Sequence, residues 1–327
     1  MIRASLYTKA DCSLCEQALE DLASLREQFP HELIQIDIEE DDTLQEAYGE
    51  KVPVLEVGPY VLKAPFDRKK LAMTLGAAID REAQLENDPQ FDRRRKRGAH
   101  FSGADRFTHW FSKHYTLVLN LFVFLYVGLP FLAPFLMRAN MPALARPIYS
   151  MYGAVCHQMA FRSWFLFGEQ SVYPRAAAGV EDLQSYGAVT GLNEEDIFAA
   201  RSYLGDETVG YKVAYCQRDV AIYGAILLFG IIFALSGRRI PALPWYLWIG
   251  IGIAPVALDG FSQLLSQLPN FPLWEYREST PFLRTLTGGL FGFMTAWFGF
   301  PLIEESMRQT REMLAAKRQR LGDKPTV

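Results

Sequence analysis

Four stretches of this chain are apolar and long enough to cross a bilayer, and nothing else in the sequence restricts its fold as strongly. A hydrocarbon core of about 30 Å takes about twenty apolar residues in a helix. Thr116 to Met137, Val220 to Ser236, Trp245 to Leu265 and Leu283 to Ile303 meet or approach that length. Lipid leaves no partner for an unpaired backbone N–H or C=O, so each run is expected as a helix and the four as an α-helical bundle. A fifth run, Ile148 to Phe167, is apolar but carries Cys156, His157, Gln158 and Arg162, and is expected as a re-entrant or interfacial helix. Ahead of the first span, FSGADRFTHWFSKH sets Phe107, Trp110, Phe111 and His114 on one helical face, the pattern of a helix lying at the membrane surface.

Basic residues orient the spans. Arg93 to Arg97 precede the first, Arg238 and Arg239 join the second to the third, and Arg308, Arg311, Lys317, Arg318 and Arg320 follow the fourth. A four-span count puts all three groups on one side, which the positive-inside bias makes cytoplasmic. The opening MIRASLYTKADC has neither an apolar run of signal-peptide length nor a cleavage pattern, so the N-terminal part is expected in the cytoplasm. A net charge of −4 argues against a nucleic-acid partner, and Arg93 to Arg97 are expected to touch anionic lipids instead. The expected organisation is a soluble domain over 1–88, a basic linker with the interfacial helix over 89–115 and a membrane domain over 116–305. That membrane domain has an outer insert at about 168–212, and a basic cytoplasmic tail follows it over 306–327. In the insert, Asn193 with Glu194, Glu195 and Asp196 reads as a helix start and Gly205 as its stop.

The soluble front has a different rhythm. IRASLYT and ELIQIDI read as strands, Glu16 to Gln28 and Thr43 to Tyr48 as helices, VPVLEV and YVLKA as a hairpin around Gly58 and Pro59, and Asp67 to Leu85 as a last helix. The order is βαβαββα, an α/β fold. Between the first strand and the first helix lies DCSLC, a CxxC pair. A thiolate is the nucleophile in disulfide exchange, and a helix N-terminus lowers the pKa of a thiol placed there. Cys12 is therefore expected to attack and Cys15, one turn on, to resolve the mixed disulfide. A zinc site would need about four ligands, and this region adds only His31.

Through LYTKADCSLC and the Val52-Pro53 pair, roughly the first 85 residues resemble a glutaredoxin-like member of the thioredoxin superfamily. The resemblance implies a thioredoxin-like fold, dithiol exchange with a cytoplasmic thiol client or reductant, and a cis peptide at Pro53 beside the sulfurs. The chain departs from that family in having Ser13-Leu14 between the cysteines, where Pro-Tyr is frequent. It also has Lys63-Ala64-Pro65 where a glycine pair that meets glutathione is expected.

Ionisable side chains inside spans are costly and mark function or pairing. YCQRDVAIYG brings Cys216, Asp219 and Tyr223 to one face, LDGFSQLL does so for Asp259 and Gln263, and FLRTLTGG for Arg284, Thr287 and Gly288. The proposed topology puts all of them in the outer half, where VCHQMAFRSW can meet them. Cys156 to Gln158, Arg162-Ser163, Cys216-x-Arg218, Asp259-Gly260 with Gln263, and Arg284 with Thr287-Gly288 resemble the signature of a predicted membrane-protein family of unassigned function. Asp219 stands where that family often has a second cysteine. Three arrangements suit these residues. One is a zinc or iron site from Cys156, His157, Cys216 and Asp219, with Asp259 as a substitute. Another is a Cys156–Cys216 disulfide on an oxidising outer side. The third is packing, with Asp219 or Asp259 paired to Arg218 or Arg284.

Two function classes follow: a membrane-tethered thiol–disulfide oxidoreductase, or a metal-handling or small-solute transporter whose front domain keeps a ligand or partner reduced. A hydrocarbon core of about 30 Å would bar direct exchange between the CxxC and the outer cysteines, leaving a diffusible carrier such as a quinone. Arg218, Asp259, Gln263, Arg284 and Thr287 are the candidate residues for holding such a cofactor.

Overall fold

The computed structural model describes residues 2–85, 100–268 and 276–321; the run Arg93 to Arg97 lies outside them. The chain forms two compact units, Met1–His114 with Glu305–Val327, and Tyr115–Glu304.

In the first unit the elements are β1 (Ile2–Thr8), α1 (Ser13–Leu25), β2 (His31–Asp37), α2 (Asp42–Tyr48), β3 (Val54–Val57), β4 (Tyr60–Lys63) and α3 (Arg68–Leu85). This is the expected βαβαββα order of a thioredoxin-like domain. The sheet runs β2-β1-β3-β4, with β1 parallel to β2 and antiparallel to β3. Side chains alternate across a strand, so β1 feeds two cores. Ile2, Ala4 and Leu6 join Leu22, Leu25, Leu71 and Leu75 on one face. Tyr7 joins Ile36, Ile38, Leu44 and Val54 on the other. Helix α1 buries Cys15, Ala18, Leu22 and Leu25, a spacing of three and four that makes one apolar stripe.

Two boundaries differ from expectation. The segment Phe101 to His114 is no separate surface helix: Ser102 and Asp105 form a reciprocal cap, and α4 (Gly103–Arg138) runs on from there without a break. The rings of Phe107, Trp110, Phe111 and His114 do stack along one face. Nor does the expected basic tail begin at 306 as a separate segment. Its residues up to Arg320 are the end of a 40-residue helix, and Leu314, Ala315 and Ala316 are buried. Ala315 and Ala316 pack with Tyr7, Cys15 and Val52, while Lys317 pairs with Asp105 at 2.8 Å and Arg320 with Glu56. Ala315 and Ala316, with the Arg320–Glu56 pair, dock the end of the helix on this domain.

The second unit contains α5 (Pro142–Gly153), β5 (Ser163–Leu166), α6 (Tyr186–Thr190), α7 (Ile197–Ser202), β6 (Gly205–Asp206), β7 (Gly210–Cys216), α8 (Gln217–Leu235), α9 (Trp245–Ser266) and, up to Glu304, α10 (Pro281–Arg320). Helices α4, α8, α9 and α10 are long and apolar enough to cross a membrane. Within α9 the stretch Trp248–Ile253 is a π-helix, next to Pro255, whose missing N–H interrupts the regular ladder. Helix α8 lies backbone against backbone on α10. A Cβ at Gly292 would sit 2.1 Å from the Ile222 carbonyl oxygen and one at Gly288 2.7 Å from that of Arg218, so this small-xxx-small pair sets the approach.

Ile148 to Phe167 is not one helix. Helix α5 stops at Gly153, Gln158 takes a left-handed φ of 52°, and the chain turns into strand β5. The insert carries a three-stranded sheet, β5-β7-β6, with α6 and α7 beside it in sequence. Asp196 rather than Asn193 caps α7, accepting from the N–H groups of Phe198 at 3.0 Å and Ala199 at 2.9 Å. Gly205 belongs to β6, with a φ of 105°.

Candidate functional site

In the first unit Cys12 and Cys15 are joined as a disulfide. Cys12 caps α1: its sulfur accepts the Cys15 N–H at 3.2 Å, and its carbonyl accepts the N–H groups of Cys15 and Glu16. The helix start thus lies three residues ahead of the expected Glu16, because the cysteine itself provides the cap. Cys15 is buried and Cys12 half-buried, so the first sulfur is the accessible one. Val52-Pro53 is cis, as is Ala64-Pro65. Val52 and Val54, on either side of Pro53, lie in the cluster that holds Cys15. His31 is elsewhere: it is buried and its Nδ1 meets the Phe29 carbonyl at 2.6 Å.

In the second unit Cys156, Cys216 and Asp219 converge, with one potential ligand atom from each within 4.8 Å of the others. Cys216 caps α8 and donates its thiol to Asp219 Oδ2 at 3.0 Å. Cys156 and Cys216 are free thiols, not a disulfide. The turn holding Cys156 is fastened to β7 by Gln158, whose Nε2 donates to the carbonyls of Tyr149 and Ala214. Lys212, fully buried, donates from β7 to the carbonyls of Gln158 and Arg201, each at 2.8 Å. Burial brings the Lys212 ammonium down to about 7, with Cys156 acting in the opposite direction and Arg201 in the same. His157 is exposed and stands outside the group, since its neighbour Cys156 takes the inward position.

Asp259 is not a substitute ligand. Arg218 and Arg277 pair with it, the latter at 2.7 Å, and the Ser279 hydroxyl donates to it at 2.7 Å. Arg284 pairs with Glu278, as does Arg162 at 2.9 Å, and Arg284 reaches Gln263 Oε1 at 3.4 Å. Thr287 is buried, but its hydroxyl donates to Leu283 in its own helix and stays out of this network. The packing arrangement expected for Arg218 and Asp259 is therefore present. Arg284 uses Glu278 instead of an aspartate. Glu278, Arg277, Ser279, Arg175 and Lys212 were not legible as site residues. One signal existed: a buried Arg284 needs a carboxylate, and Glu278 is near it in sequence.

Four matches to known proteins are found. Residues 3–76 match the family described as glutaredoxin-like domain (DUF836), and residues 207–298 the family described as predicted membrane protein (DUF2085). The uncharacterized protein MJ1492 of Methanocaldococcus jannaschii is 27% identical over 202 residues, covering 59% of this chain and 94% of its own. The X-ray structure of the structural genomics target protein XcR50 from X. campestris is 39% identical, covering 23% of this chain and 96% of its own with a TM-score of 0.21. The DUF2085 match takes in Cys216, Asp219, Asp259 and Arg284 but leaves Cys156 and Arg162 outside its bounds. The chain joins an N-terminal glutaredoxin-like domain to a C-terminal predicted membrane protein domain.

Proposed function

We propose that this chain is a membrane-tethered thiol–disulfide oxidoreductase whose Cys12/Cys15 couple works at the cytoplasmic face. The observation that carries the reading is the cap: Cys12 Sγ accepts a backbone N–H at the positive end of α1, where a thiolate is favoured over a thiol. In the reduced state the Cys12 thiolate attacks one sulfur of a client disulfide. The client S–S bond breaks, a Cys12–client bond forms, and the other client sulfur leaves as a thiolate that takes a proton from water. Cys15, having lost its proton to water, then attacks Cys12 Sγ, closes the Cys12–Cys15 bond and releases the second client thiol. The client gains two electrons and two protons, and a cytoplasmic thiol reductant restores the pair. Basic residues flanking the spans support the cytoplasmic side and a contact with anionic lipid.

The test is the rate of alkylation of reduced full-length Cys15→Ser protein against pH. A Cys12 pKa well below the ordinary thiol value of about 8.5 is expected, and an ordinary one would end the nucleophile assignment. Exchange should vanish in Cys12→Ser, while Cys15→Ser should accumulate the mixed disulfide.

A second reading applies to the membrane unit. Two free thiols and a carboxylate within 4.8 Å suit zinc or iron, since tetrahedral zinc–sulfur bonds of about 2.3 Å put ligand atoms roughly 3.8 Å apart. Three protein ligands would leave a fourth position open. Elemental analysis of the purified chain tests it: about one metal per chain, lost in Cys216→Ser, is expected, and a metal-free protein with both thiols titratable rejects it.

A further inference from the structure

Five arginines of the second unit are gathered on two acids. Glu278, with 2% of its side chain exposed, meets Arg162 at 2.9 Å, Arg175 at 3.6 Å, and Arg284. Asp259, with 4% exposed, meets Arg218 and, at 2.7 Å, Arg277. The two groups are linked through Ser279, whose hydroxyl donates to Asp259 while its carbonyl accepts from Arg284. Among the described residues this cluster holds three more guanidinium groups than carboxylates. Arg175 and Arg284 have only 9% and 7% of their side chains exposed, and an uncompensated cation is costly there.

Unused donors accompany the charge. The Nε–H groups of Arg175 and Arg218 are buried and have no hydrogen-bond partner. Arg162, Arg218 and Arg277 keep 26%, 26% and 32% of their side chains exposed, so the cluster opens to its surroundings on their side. Each is already oriented by a carboxylate.

We infer that this arginine cluster binds a small tetrahedral oxyanion of the phosphate or sulfate class. The excess charge among the described residues favours an anion, and planar guanidinium forks match an anion with several acceptor oxygens. A quinone carries acceptors but no charge, so it would leave the excess in place. The site belongs to the second unit and does not depend on the redox reading. The same chemistry is offered by free phosphate and by a phospholipid headgroup.

The experiment uses the full chain in a maltoside detergent, stripped of lipid and kept in phosphate-free buffer. Inorganic phosphate is added against chloride at matched ionic strength in one arm, and phosphatidylglycerol against diacylglycerol in the other, with equilibrium binding and the unfolding midpoint as readouts. Saturable binding with a raised midpoint is expected in at least one arm, and the responding arm names the source. Arg162→Gln and Arg218→Gln, each of which leaves its carboxylate another arginine, should weaken binding by about tenfold or more, the size expected for one charge-assisted hydrogen bond. Exposed Arg239→Gln, outside the cluster, should leave it unchanged. The inference fails if the wild type responds in neither arm, whatever the variants do. It also fails if both cluster variants bind like the wild type, or if Arg239→Gln weakens binding as much as they do.

Discussion

The two units place their polar chemistry in opposite ways. In the glutaredoxin-like unit the reactive pair sits three residues apart at the start of one helix, on an apolar core built from regular alternation. In the membrane unit the chemistry is buried and assembled from distant segments, as when Arg162 meets Glu278 across 116 positions. A local motif survives wherever the scaffold folds. A distributed cluster exists only when every partner is in place, because each buried charge is acceptable only while it is paired.

That contrast can be broken by mutation. Glu278→Ala strands Arg162, Arg175 and Arg284 together, and a loss of about 3–5 kcal/mol is expected, seen as a large fall in the unfolding midpoint of the detergent-solubilised chain. In the front unit Leu22→Ala removes a fully buried side chain and should cost about 2–5 kcal/mol in chemical denaturation, through lost burial and a cavity alone. If Glu278→Ala were nearly neutral, the membrane cluster would be surface pairing and the contrast would be gone.

Lys212 sharpens the same point through pH. Its ordinary value is 10.5 and burial lowers it to about 7 in the folded chain. Between those values the unfolded chain holds a proton that the folded chain has released, so stability rises with pH across the window and this group adds no further change below about 7. Lys212→Met should flatten that rise in a series of unfolding midpoints taken from pH 7 to pH 10. The smallest effect belongs to a purely local feature: Asp196→Ala removes the cap of α7 and should cost about 1 kcal/mol in thermal unfolding.

Much of the fold was open to inspection of the residues. Strand β1 matches its expected bounds, the spans were found by their apolar length, and Cys12 with Cys15 declared itself through spacing at a helix start. Errors fell where tertiary packing overrides local pattern. Ile148 to Phe167 looks helical in composition, yet Gln158 and Lys212 tie its middle to β7 and turn it into a strand. Arg308 to Arg320 look like a basic tail, yet Ala315 and Ala316 pack this end of the helix onto the front domain.

The amino-acid order alone determined that a βαβαββα domain with a cysteine pair precedes a helical bundle, since side-chain period, apolar length and helix capping act between near neighbours. Only the tertiary structure decided that Cys156, Cys216 and Asp219 meet while His157 turns outward, and that Glu278 rather than an aspartate receives Arg284. Which buried charges pair depends on how closely helices approach. Here that distance is set by two glycines, Gly288 and Gly292, whose role appears only when another backbone lies against them.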